Sequence, residues 1–91
     1  MKMSKEIISE KNLYRSADMP LVATINMFTP LWGIERPDNS GRAYFLFKRE
    51  AGLDALVEGF WNGSLQVSPQ AYFASLKAIK GRLYSDRRDE E

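Results

Sequence analysis

The chain of 91 residues contains no histidine and no cysteine. Those two residue types supply the commonest general base near neutral pH, the commonest transition-metal ligands and the commonest covalent thiol. Their absence excludes histidine-dependent triads, thiol catalysis, disulfides and Cys/His zinc sites, and leaves only hard cations held by carboxylate oxygens. Long apolar runs are also missing. The densest patch, residues 19–32, is broken by Pro20, Asn26 and Pro30 and falls short of the roughly 18–20 apolar residues that a membrane span needs. The opening Met1-Lys2-Met3-Ser4-Lys5-Glu6 has no apolar core of a secretory signal, so the expected setting is the cytoplasm, with no membrane contact. The six glycines are scattered and build no phosphate-binding loop. Charge of one sign is scarce too: 13 basic residues face 12 acidic ones, a net of +1, far from the excess that attracts nucleic acid through the overall field of a protein.

What remains is enough for one small domain. With 44% apolar and 12% aromatic side chains, a chain of this length buries a single modest core, and a dimer would add to its stability. No repeat or long linker interrupts residues 11–85, which read as one α+β domain. Residues 1–10 and 86–91 are expected to be flexible termini. Beneath the neutral total, the charges are uneven. Residues 36–49 carry Arg36, Arg42, Lys48 and Arg49 against Asp38 alone, and residues 59–85 carry Lys77, Lys80 and Arg82 with no acid. A quarter of charged residues is ordinary for a soluble surface, so a solvated exterior accounts for most of them.

Residues 12–17 alternate as a strand does, and Asp18 stands ready to cap a helix that tolerates Pro20 in its first turn. Leu21, Ile25 and Phe28 recur at helical spacing until Pro30 stops them. Residues 31–36 and 43–49 flank the turn-forming run Pro37-Asp38-Asn39-Ser40-Gly41 and predict a β-hairpin. In its second strand, Phe45 and Phe47 point one way and Tyr44, Leu46 and Lys48 the other. Both faces are thus partly apolar, and Tyr44, Leu46 and Lys48 form too apolar a set to stand in water without a reason. Leu53, Leu56, Val57 and Phe60 give the stripe of an amphipathic helix that ends at Trp61-Asn62-Gly63, with Gly63 suited to a left-handed cap. Ser68-Pro69 then opens a last helix over about residues 69–84, with Tyr72, Leu76, Ile79 and Leu83 toward the core. Gly59 and Gly81 fall inside helical stretches, where each costs about 1 kcal/mol against alanine, so close packing is the expected reason for both.

On the last helix Phe73, Lys77, Lys80 and Tyr84 share one edge, the arrangement that stacks a base and neutralises a phosphate. The plainer explanation is that Phe73 and Tyr84 extend a wide core stripe while the lysine stems cover apolar surface. Trp61, beside a cap, suits a rim position with its indole N–H in water, whereas Trp32, opening a strand, is expected in the core. No carboxylate pair has the spacing of a two-acid mechanism: Asp18 is a cap, Asp38 a turn former, and Asp54 and Glu58 one exposed flank. A Mg²⁺ site from Glu35, Asp54 and Lys48 is conceivable chemically, but no spacing favours it. No catalytic residue, metal ligand or cofactor is assigned.

Taken in order, Tyr14-Arg15-Ser16-Ala17-Asp18, Leu21-Val22-Ala23, Trp32-Gly33-Ile34-Glu35, Gly41-Arg42, the pair Phe45 and Phe47, and Phe60-Trp61-Asn62-Gly63 with Leu65, Val67, Pro69, Tyr72-Phe73 and Leu76-Lys77 carry a resemblance. The chain resembles a short prokaryotic and phage family described only as a domain of unknown function, over about residues 12–85. Where that family has glycine before its second strand, this chain reads Thr29-Pro30-Leu31. The resemblance implies no activity and no site residues, and associates the chain with partners from DNA maintenance or host–phage conflict.

These readings give an α+β expectation: a small antiparallel sheet of three strands, with residues 65–67 open as a fourth, packed by three helices in the order β-α-β-β-α-(β)-α. The expected function is that of a small non-enzymatic binding module contacting nucleic acid. Arg42, Lys48, Lys77, Lys80 and Arg82 would meet phosphate, and Tyr44, Trp61 and Tyr84 would stack on bases. The alternative is a protein-interaction or homodimerisation module in which the same aromatics form a hydrophobic centre.

Overall fold

The computed structural model describes residues 12–37 and 41–89, with side chains as far as residue 85. It contains β1 (Leu13–Ser16), α1 (Met19–Asn26), β2 (Gly33–Glu35), β3 (Tyr44–Lys48), α2 (Leu53–Asn62) and α3 (Pro69–Asp89). The strands form one antiparallel sheet in the order β1-β3-β2. The α+β class, the three strands and the three helices agree with the sequence.

The local chemistry that starts and stops these elements is the chemistry read from the sequence. Asp18 accepts a hydrogen bond from the Leu21 N–H at 3.1 Å, with Pro20 in the first turn. The Ser68 hydroxyl accepts from the Ala71 N–H at 3.2 Å just before Pro69. Gly63 takes the left-handed conformation at φ 78°, and its N–H reaches the carbonyl of Phe60. The start of α2 has no such signature: Gly52, also left-handed at φ 94°, precedes Leu53 without a side-chain cap.

Phe45 and Phe47, on one face of the central strand, are 2% and 0% exposed and form the core with Leu21, Val22, Ile25, Leu53 and Ile79. Five consecutive residues of α1, Leu21 to Ile25, are buried. At about 100° per residue such a run covers the whole circumference, so α1 is the central helix of the core rather than an amphipathic cover. It packs against both α2 and α3. Its one polar side chain in that run, Thr24, donates to the Pro20 carbonyl at 2.8 Å. At the α1–α3 contact the buried Ser75 hydroxyl donates to the Ala23 carbonyl at 2.7 Å and accepts from the Asn26 side-chain amide at 3.0 Å.

Four expectations are corrected. Residues 65–67 are not a fourth strand. The Ser64 and Leu65 N–H groups both return to the Gly59 carbonyl, at 3.1 and 3.2 Å, so the start of this segment is committed to closing the end of α2. Helix α3 continues to Asp89 rather than stopping near residue 84, because no glycine or proline follows Gly81 to end it. Gly81 is not closely packed, since a methyl group there would meet nothing within 4 Å; at Gly59 the nearest atom would be the Ser64 hydroxyl oxygen at 3.6 Å, an ordinary contact. Trp32 is half-buried on the far side of the sheet and lies outside the core. Of the hairpin turn, residues 38–40 lie outside the described residues, as do residues 1–10 at the start of the chain.

Candidate binding surfaces

The outer face of the sheet, turned away from the helices, is assembled by strand register. Leu13 pairs with Lys48 and Arg15 with Leu46 across β1 and β3, while Gly33 pairs with Leu46 and Glu35 with Tyr44 across β2 and β3. Because β1 alternates, Leu13 and Arg15 lie outward and Tyr14 and Ser16 lie inward. Leu46 is opposed twice, by Gly33 in register and by Trp32, whose N–H donates to the Leu46 carbonyl at 2.8 Å. Two residues against one is the pattern of a β-bulge, which breaks the period of two and turns Trp32 outward. Leu13, Arg15, Trp32, Glu35 and Leu46 line a depression of about 260 Å³. Leu46 forms its floor at 8% exposure. The Arg15 guanidinium forms an ion pair with Glu35 and lies 5.5 Å from the centre of the Tyr44 ring, so cation, anion and aromatic ring are locked side by side.

A second surface runs along α3. Phe73 and Tyr84 are 57% and 56% exposed, Lys77 and Lys80 are exposed between them, and the Lys77 ammonium lies 5.2 Å from the centre of the Phe73 ring. At about 100° per residue the four occupy one flank about 60° wide, while Arg82 projects from the opposite side of the helix. The core side of α3 is held by Ser75 and Ile79, with Leu83 partly buried.

The eight residues named from the sequence therefore do not form one site. Tyr44 and Lys48 belong to the outer sheet face, and Lys77, Lys80 and Tyr84 to the flank of α3. Trp61 stands at the end of α2, 62% exposed, edge-on to Phe60 with ring centres 5.0 Å apart. Arg42 borders a separate, open hollow of about 450 Å³ together with Arg36, Met19, Phe45 and Leu83. Across that hollow the Arg36 guanidinium donates to the Leu83 carbonyl at 3.2 Å, tying β2 to α3.

Sequence reasoning missed Leu13, Arg15, Trp32 and Glu35 as members of the outer face. The alternation in residues 13–16 carries the signal for the first two, but only the β1–β3 register makes it usable. The two carboxylates weighed for a Mg²⁺ site stand in different pairings: Glu35 with Arg15, and Asp54 with Arg49 at 2.9 Å. Among the described residues no three acidic side chains gather into a metal-holding group, and no helix is long and apolar enough to cross a membrane. Burial pushes the Tyr14 phenol above its ordinary range; Arg49, whose guanidinium lies 5.2 Å from the ring centre, works against this, and Asp18 and Asp54 add to it.

No curated protein and no solved structure matches the chain. Residues 11–85 match a family described as a domain of unknown function, DUF5659. That span takes in every strand, α1, α2 and all but the last residues of α3. The residues of both surfaces lie within that matched span, and the chain belongs to the DUF5659 family.

Proposed function

We propose that this protein is a non-enzymatic interaction module that associates with a second copy of itself through the outer face of its sheet. The observation that carries the reading is the clustering of Trp32, Tyr44 and Leu46 around the Arg15–Glu35 pair on the face of the sheet turned away from the described helices. Tryptophan, tyrosine and arginine are the residue types that dominate interface energetics. Opposite charges held side by side suit an isologous contact, in which each copy sets its cation against the anion of the other. The Glu35 carboxylate at the centre disfavours a polyanion there. A core of this size also gains from burying a further apolar face.

The test is molar mass in solution by light scattering, at about 0.05 M and 0.5 M salt, a range that separates screened from buried contacts. The expected result is a dimer at both salt concentrations and a monomer for Trp32→Ala that keeps the native circular dichroism spectrum. A monomer at every concentration and salt overturns the reading, and so does a dimer that Trp32→Ala and Tyr44→Ala leave intact.

A further inference from the structure

The α3 flank differs chemically from the sheet face, lies on the helical side of the molecule and is untouched by the proposed self-association. It carries two exposed rings, Phe73 and Tyr84, and two exposed cations, Lys77 and Lys80. No acid occurs anywhere in residues 59–85, so the stretch of α3 that carries the four side chains holds no carboxylate of its own. The rings stand eleven positions apart, which at 1.5 Å per residue is about 16 Å along the helix, with both lysines between them. Neither ring serves the core: Phe73 and Tyr84 are each more than half exposed, while the neighbouring positions Ser75 and Ile79 hold α3 in place. A flank that only covered apolar surface would bury its rings and leave its ammonium groups in water. Here the rings are in water as well.

We infer that this flank binds single-stranded nucleic acid, with Phe73 and Tyr84 stacking on bases a few nucleotides apart and Lys77 and Lys80 meeting the phosphates between them. Rings facing outward select an unpaired strand, because bases within a duplex are already stacked and their faces are closed. Two cations make the electrostatic part small. For single strands each phosphate neutralised adds about −0.7 to the slope of log K against log salt, so the expected slope is about −1.4. Binding is therefore weak and best read at low salt.

The experiment is fluorescence anisotropy of a labelled oligothymidylate of about 15 nucleotides, with a duplex of equal length as comparison, between about 0.05 M and 0.2 M salt. The single strand is expected to bind more tightly than the duplex. Tyr84→Ala and Phe73→Ala are each expected to weaken binding roughly 5- to 150-fold, and Tyr84→Phe to retain it. Lys77→Ala and Lys80→Ala should each reduce the salt slope by about 0.7. All four side chains are exposed, and the thermal midpoint of each variant checks that the fold is kept. Trp32→Ala, on the other face, should bind the strand as the wild type does, which separates this inference from self-association. Equal or tighter binding to the duplex overturns it. So does an anisotropy that does not respond at 0.05 M salt, or binding that the tyrosine and lysine variants leave unchanged.

Discussion

A methyl group at Gly81 would meet no heavy atom within 4 Å, and the residue sits inside α3 with no positive φ. Gly81→Ala should therefore raise stability by about 0.5–1 kcal/mol, by restricting the unfolded chain without crowding the folded one. Gly63, at φ 78° in the cap of α2, answers the same substitution in the opposite direction, with a loss of about 1 kcal/mol. Urea unfolding of the two variants side by side gives both signs. Tyr14 offers a test that depends on pH. Its phenol ionises in the unfolded chain near pH 10 but later in the folded protein, where burial disfavours the anion. Its contribution is thus complete below pH 10 and is lost as the pH rises toward the folded value. Unfolding free energies measured from pH 8 to 11 should fall more steeply for the wild type than for Tyr14→Phe.

The legible elements are those whose ends are written in neighbouring residues. Asp18, Ser68-Pro69 and Gly63 each act on amides within three positions, so the boundaries they set follow from short windows of sequence. Residues 65–67 show the limit: their composition suits a strand, yet a strand exists only with a neighbour, and the Leu65 amide already serves the end of α2. The helix–helix contact was equally silent. Ser75 reads as an unremarkable polar residue between Phe73 and Leu76, but it is the buried hydroxyl that joins α3 to the Ala23 carbonyl and to Asn26. Removing it leaves the Asn26 amide without that partner at a tight contact between two small residues. Ser75→Ala should cost about 1–2 kcal/mol in urea unfolding, whereas the exposed Ser85→Ala should change stability by less than about 0.5 kcal/mol.

At the scale of the whole molecule, the alternation of β3 already separated Phe45 and Phe47 from Tyr44, Leu46 and Lys48. The sheet order β1-β3-β2 decided what stands beside them. That order joins residues more than thirty positions apart, and the bulge at Trp32 defeats the period of two, so Arg15, Trp32 and Glu35 could not be placed together from local pattern. The same topology puts the sheet face and the α3 flank on opposite sides, which makes the two surfaces independent and gives self-association a thermodynamic signature of its own. A chain that unfolds from a dimer is stabilised by mass action, so its thermal midpoint should rise by roughly 3–6 °C for each tenfold increase in protein concentration. Calorimetry across two decades of concentration measures this directly. Trp32→Ala should flatten the dependence, because its midpoint becomes that of a monomer. The doubly substituted Lys77→Ala, Lys80→Ala variant should keep the full slope, because those side chains lie across the core from the contact that concentration strengthens.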